Sequence, residues 1–268
     1  MSTVVFIGGG RITAAMLAGL RLGKTEHCLV VHDRNPGKLR NLKKTCAVAV
    51  EPDLERAVGQ ADLLIVAVRP GSVDELLGAI GKLERQLPRR RLLAVSLAAG
   101  VPLRQLIKLS GQPLRWARAM PSPVCRSGRG LTAVTYPRSL PRACRKLIRN
   151  LFATFGEVVE IPESKFDLFT VTFSPSHGYH AVSALARAAQ AAGLDRKIAL
   201  LMSAHAVADG IISWREEKHS LESVLEEAAT PGGTAAATVA AMDAAGYQRA
   251  VRLGLAAGLR RARANAGK

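Results

Sequence analysis

The chain has 268 residues, 48% of them hydrophobic, and carries a formal net charge of +17. Length and apolar content together allow a buried core and two domains, and they exclude a disordered chain. The apolar run from Leu63 to Val68 is too short to span a bilayer, and the N-terminus lacks the basic and long apolar regions of a secretory signal, so a cytoplasmic protein without a membrane partner is expected. In chain order, the run Val4-Val5-Phe6-Ile7 reads as a buried parallel strand and turns at once into Gly8-Gly9-Gly10. A helix follows through Ala14, Leu17, Ala18 and Leu22, then a strand at Cys28 to His32, the acid Asp33, a charged helix from Pro36 to Lys43 and a short strand at Ala47 to Val50. The alternation continues with a helix at Leu54 to Gly59, a strand at Asp62 to Val68, a helix at Ser72 to Leu83, a strand at Arg91 to Ser96 and a helix at Leu103 to Leu109. Strands at Leu114 to Arg118, Leu131 to Tyr136 and Glu157 to Ile161, with a helix at Pro141 to Phe152, complete an α/β sheet of the doubly wound, Rossmann type.

After Pro162 the grammar changes to Ala- and Leu-rich helical periodicity. Helices are expected over Asp167 to Gly193, Asp195 to Trp214 and Leu221 to Ala229, with two more after Gly233 and Gly246. The expected division is therefore an α/β domain over residues 1–162 and an all-α domain over 163–268. The Ala-dense helices Ala181 to Ala192 and Ala235 to Ala245 bury little area by themselves, so packing against a second copy of the chain is expected to finish that core.

The glycine run carries chemistry in this setting, because a dinucleotide pyrophosphate must approach the backbone where the first strand turns into its helix. Gly8 and Gly10 fit the first two positions of GxGxxG, while Thr13 stands at the third and would loosen helix–strand packing. Asp33 lies 20 residues beyond Thr13, at the end of the second strand, where an acid can bond the ribose hydroxyls. Asp33 favours a free 2′-hydroxyl and hence NAD(H); Arg34, with Lys38 and Arg40 nearby, could neutralise a 2′-phosphate. The three cations tilt the reading towards NADP(H), with NAD(H) as the other option.

Near the other end, Thr230-Pro231-Gly232-Gly233-Thr234 separates two helices. Its glycines allow close approach of a ligand, and the first N–H groups of the following helix have no intrahelical partner, which favours a carboxylate or phosphate. An ordinary Pro-Gly-Gly connector would read the same way. Between Arg85 and Gly156 there is no acid, whereas Arg89, Arg90, Arg91, Arg104, Lys108, Arg115, Arg118, Arg126, Arg129, Arg138, Arg142, Arg145, Lys146 and Arg149 all fall there. Aromatic content is only 4% and no nucleic-acid motif accompanies the cations, which argues against nucleic acid as the primary partner. Cys28, Cys46, Cys125 and Cys144 are scattered without metal-ligand spacing, so no metal site is expected.

The two ends read together resemble the pyrroline-5-carboxylate reductase family, which makes proline from a cyclic imine. The likeness rests on Phe6-Ile7-Gly8-Gly9-Gly10, Ala67-Val68-Arg69-Pro70 (Ala-Val-Lys-Pro in most relatives), Ser96-Leu97-Ala98-Ala99-Gly100, Arg118-Ala119-Met120-Pro121 and Thr230-Pro231-Gly232-Gly233-Thr234. The resemblance implies a Rossmann domain followed by an all-helical dimerisation domain, with the active site between partners. It further implies that Gly8, Gly9, Gly10, Arg11, Ile12, Ala67, Val68, Arg69 and Pro70 line the cofactor, that Ala98 lies near the nicotinamide, and that Gly232, Gly233, Thr234 and Ala235 meet the carboxylate of the imino acid substrate.

Several positions depart from the family pattern. Arg11 and Ile12 replace Asn and Met, Ser122 replaces Asn after Met-Pro, and Phe173 to Tyr179 only loosely matches a Ser-Gly-rich stretch ending in Pro-Ala-Tyr. Ala235 replaces a second hydroxyl residue often discussed as a proton source. His177 or His180 could supply the missing donor or be solvated residues at a helix start, and His205 reads as an ordinary helical position. Thr234 could bind the carboxylate or cap its helix. Two functions stay open: a reductase of a small cyclic imine or related carbonyl acid, and a dinucleotide-binding protein without turnover.

Overall fold

The computed structural model describes residues 2–83, 92–110, 114–216 and 219–265. Strands Thr3–Ile7 (β1), Cys28–His32 (β2), Ala49–Val50 (β3), Leu63–Val66 (β4), Leu92–Ser96 (β5), Leu114–Met120 (β6), Gly130–Thr135 (β7) and Gly156–Glu160 (β8) form one sheet in the order β3-β2-β1-β4-β5-β6-β7-β8. Neighbours run parallel except β6 and β7. These two are joined by a short link containing the 3-10 turn Pro123–Ser127, and a link without a crossover helix returns the chain antiparallel. Arg91, with Arg89 and Arg90, lies outside the described residues.

Apolar runs such as Val4-Val5-Phe6-Ile7 work because both faces of the sheet are covered. Val4 and Phe6 pack with helices Arg11–Leu22 (α1), Pro36–Cys46 (α2) and Arg142–Ala153 (α6); Val5 and Ile7 pack with Leu54–Gly59 (α3), Val73–Lys82 (α4) and Leu103–Ser110 (α5). Successive strand residues point to opposite faces, so a strand covered on both sides must be apolar throughout. The register aligns Ile7 with His32 and Val66, and Val66 with Ser96. Gly8, Asp33, Ala67 and Leu97 therefore follow on one edge, at the point where the order switches from β2 to β4 around β1. In open α/β sheets that is where ligands bind.

Two compact units divide the chain: one runs to Phe173 and takes the chain back from Gly258, and the other is Ser174–Ala257. The first unit includes helix Glu163–Thr172 (α7), tied to the sheet by Arg118 of β6. Arg118 is 2% exposed; its Nη1 donates to Glu163 Oε1 at 2.7 Å and its Nη2 to Asp167 Oδ1 at 3.3 Å, with the guanidinium 4.3 Å from the Phe166 ring. The last turns of helix Tyr247–Ala264 (α12) also belong here, since the Ala262 carbonyl occupies the space a Cβ would need at Gly100 and Asn265 Nδ2 donates to the Ala99 carbonyl.

The second unit holds helices Ser176–Ala191 (α8), Arg196–Glu216 (α9), Leu221–Ala228 (α10), Thr234–Ala244 (α11) and the start of α12. The helix expected unbroken from Asp167 to Gly193 is interrupted at Phe173–Pro175. Pro175 has no N–H to donate and its ring clashes with a preceding helical turn, so α7 closes at Thr172 and α8 opens at Ser176. On α9 the consecutive residues Leu200, Leu201 and Met202 are 54%, 58% and 54% exposed, which leaves apolar surface on more than one side of the helix. Among the described residues, no helix is long and apolar enough to cross a membrane.

Candidate functional site

A cleft of about 890 Å³ opens at the carboxyl edge of β1, β2 and β4. Gly8, Gly10, Arg11, Ile12, Asp33, Arg34, Lys38, Ala67, Val68 and Arg69 line it, together with Ser72, Glu75 and Leu76. Gly8 has φ +110°, and a Cβ there would sit 2.7 Å from the Ala67 carbonyl oxygen, so glycine is what lets β1 turn beside the end of β4. Gly10 precedes α1 without a capping side chain, and a Cβ built on it meets nothing within 4 Å. The N–H groups of Arg11, Ile12 and Thr13 thus open the helix without intrahelical partners, beside free space and with no acid in the first turn. That combination fits a dinucleotide pyrophosphate. Thr13 does not loosen the turn as expected: fully buried, its hydroxyl donates to the Gly8 carbonyl at 2.5 Å and ties α1 to the glycine run.

At the far end of the cleft Asp33 faces inward, accepting from Gly9 N at 2.7 Å, Asn35 N at 2.8 Å and Lys38 Nζ at 3.2 Å. Burial pushes its pKa up, but the two backbone N–H groups and the lysine outweigh that and hold it below the ordinary value of 3.8. Arg34 instead extends across the mouth, its Nη1 2.6 Å from Glu75 Oε1 on α4. Pro70 begins the 3-10 turn Pro70–Ser72 that leads into α4. Ala98 is 2% exposed, packed in the core under α4 and α5 with its N–H on Ser96 Oγ, and a Cβ added at Gly9 would meet Leu42 and Asp33; neither residue is on the cleft wall. Sequence reasoning missed Glu75, whose only signal is its position in the first turn after Ala67 to Pro70, and Asp53, which lines the cleft while capping α3 through Arg56 N.

The Thr230 to Ala235 stretch lies in the second unit. Gly232 adopts φ +80°, Gly233 N donates to the Thr230 carbonyl at 2.9 Å, and Gly233 is the N-cap residue of α11. Thr234 is the first helical residue rather than the cap, and no side chain caps this helix. The N–H groups of Thr234, Ala235 and Ala236 precede the first intrahelical donor, Ala237, whose N–H bonds the Gly233 carbonyl at 3.2 Å, and the Thr234 side chain is exposed beside them. Earlier in this unit Ser174 and Ser176 hydroxyls lie 2.7 Å apart, and His177 and His180 are exposed in the first turns of α8. His205, read as an ordinary helical position, bonds Asp209 through Nδ1 at 2.6 Å; the i,i+4 spacing of the two was a legible signal.

Residues 3–100 match the family model for NADP oxidoreductase, coenzyme F420-dependent, and residues 163–265 match pyrroline-5-carboxylate reductase dimerisation. The chain is 30% identical over 260 residues to pyrroline-5-carboxylate reductase of Synechocystis sp., covering 95% of each. Its fold matches that of 1-pyrroline-5-carboxylate reductase from Streptococcus pyogenes with a TM-score of 0.87 at 23% identity, covering 98% of each chain. Pyrroline carboxylate reductase from Plasmodium falciparum, solved with NADP bound, matches with a TM-score of 0.85 at 17% identity over 99% of this chain and 98% of that one. An α/β sheet with its glycine turn and open helix start at the switch point, an all-helical C-terminal region, and 30% identity to a reductase over nearly the full length of both chains converge: the chain belongs to the pyrroline-5-carboxylate reductase family and is an NAD(P)-dependent oxidoreductase of that type.

Proposed function

We propose that the chain reduces 1-pyrroline-5-carboxylate to L-proline, with NADPH preferred over NADH and the substrate carboxylate held at the start of α11. The observation that carries this reading is the uncapped helix after Gly233, whose open N–H groups at Thr234, Ala235 and Ala236 suit a carboxylate. When bound, the reduced nicotinamide supplies a hydride to the C=N carbon. The residues at the end of β1 and the start of α1 would hold the pyrophosphate, Ala67, Val68 and Arg69 on the cleft wall would flank the cofactor, and Arg34 at the mouth would meet the 2′-phosphate; the relative from Plasmodium falciparum was solved with NADP bound, which supports the choice of cofactor. Anchoring the carboxylate fixes the imine carbon for hydride transfer, which is where positioning contributes most. Thr234 adds a hydroxyl to that anchor; with alanine at 235 the proton for the imine nitrogen comes from water or another side chain.

The exposed apolar residues of α9, with Leu225, Val239, Met242 and Leu253 on the later helices, are then covered by a second copy of the chain. Oxidation of NADPH and NADH measured across a panel of cyclic imines with and without a carboxylate tests the assignment. Turnover confined to carboxylated imines is expected; equal turnover of imines lacking the carboxylate would refute the anchor, and dinucleotide binding without imine-dependent oxidation would refute the reaction.

A further inference from the structure

Arg34 and Glu75 face each other across the mouth of the cleft, one just after β2 and the other in the first turn of α4, with 2.6 Å between guanidinium and carboxylate. Both side chains are exposed, so the pair contributes little to folding and its effect falls on whatever enters the cleft. The other nearby carboxylates are already engaged: Asp33 by Gly9, Asn35 and Lys38, and Asp53 by the Arg56 N–H of α3. Glu75 alone among these three spends its charge on Arg34. A 2′-phosphate bound through Arg34 must displace Glu75 or share the guanidinium with it, so Glu75 acts on the phosphate by competing for Arg34. A free 2′-hydroxyl meets no such opposition, since a carboxylate can accept from it.

Resting on the reading that this cleft holds the cofactor, we propose that Glu75 is a specificity-determining residue, a counter-ion to Arg34 that disfavours NADP(H) relative to NAD(H) and so narrows the preference between them. The test is the binding of NADPH and NADH to the full chain, titrated by fluorescence, for the unaltered protein, Glu75→Gln, Arg34→Ala, the double variant, and Asp74→Asn. Asp74 is an exposed acid one residue away on the same helix and does not line the cleft, so it controls for bulk charge. Glu75→Gln should tighten NADPH by about fivefold, the upper range for one exposed charge pair, and leave NADH within about twofold. The gain should vanish in the Arg34→Ala background and be absent in Asp74→Asn. Equal changes for both cofactors, a gain that survives Arg34→Ala, or the same gain in Asp74→Asn would each overturn the role of Glu75 while leaving the cofactor site standing. Failure of the unaltered chain to bind either dinucleotide would overturn the site reading, and the role of Glu75 with it.

Discussion

Gly8 and Gly10 stand two residues apart in one turn, and a methyl group added at each should fail for opposite reasons. At Gly8 an alanine must adopt φ +110°, and its Cβ would lie 2.7 Å from the Ala67 carbonyl oxygen and 2.9 Å from the Ala67 carbonyl carbon. That neighbour is backbone held in the sheet by the Ala67 N–H to Ile7 carbonyl bond of 2.8 Å, so it cannot swing aside as a side chain would. Backbone strain and overlap together should cost about 2 to 4 kcal/mol. For a unit of this size that lowers Tm by about 5 to 15 °C. At Gly10, φ is −81° and nothing lies within 4 Å of the added carbon, so Gly10→Ala should lose at most about 1 kcal/mol as a poorer N-cap. The methyl group instead enters the space over the first N–H groups of α1, where the pyrophosphate is proposed to lie. Loss of a charge-assisted hydrogen bond there weakens dinucleotide binding by about 1.5 to 3 kcal/mol, roughly ten- to hundredfold. Thermal melts and NADPH titrations on both variants read the two effects separately. A Gly10→Ala protein that binds NADPH as tightly as the parent would refute the placement of the pyrophosphate, and an unshifted melt for Gly8→Ala would refute the steric argument.

Further outcomes follow from other residues. Thr234→Ala should mainly raise KM and lower kcat/KM by about ten- to hundredfold with dinucleotide affinity unchanged, because it removes one hydrogen bond to a charged group; unchanged steady-state kinetics would take Thr234 out of the carboxylate site. Arg118→Ala leaves Glu163 and Asp167 without their cation and should destabilise by about 3 to 5 kcal/mol in a denaturant melt, and a loss under about 1 kcal/mol would show that the network carries no weight. In sedimentation at micromolar concentration the chain should run as a dimer or larger assembly with no species near 28.5 kDa, and a monomer would remove the proposed cover for the apolar helices.

The parts of the fold that were legible in the sequence are those whose cause is local. The strand–glycine–helix succession at Val4 to Leu22 can be read directly because burial on both faces forces an apolar strand and an open turn requires glycine. The alternation of strands and helices through Glu160 follows from the same period-2 and helical patterns. What stayed hidden depends on contacts far apart in sequence. Glu75 lies 41 residues from Arg34, and only the strand order places the first turn of α4 beside the loop after β2. Arg118 read as one cation in an acid-free run, yet it is buried, and its partners stand 45 and 49 residues on, past the end of that run. The return of α12 to the first unit at Gly258 has no mark in its composition, since the helix continues unbroken on both sides.

The positions where the chain departs from its family divide by whether backbone or side chain does the work. Ser122, standing where relatives have Asn, is buried at 3% exposure and accepts from the Val124 N–H at 3.2 Å, which opens the turn Pro123–Ser127. Serine and asparagine are comparable N-caps, so that exchange keeps the same local bond. Arg11 and Ile12 change side chains at the start of α1, but an anion there is met by N–H groups that every residue except proline supplies, and the added cation favours it further. Ala235 is different in kind. Its N–H at the start of α11 survives, so the proposed carboxylate anchor survives, while the side-chain hydroxyl of the family pattern is gone. Under the proposed reaction, carboxylate recognition then rests on these N–H groups and the Thr234 hydroxyl, and the departure at Ala235 bears on how fast the imine nitrogen gains its proton.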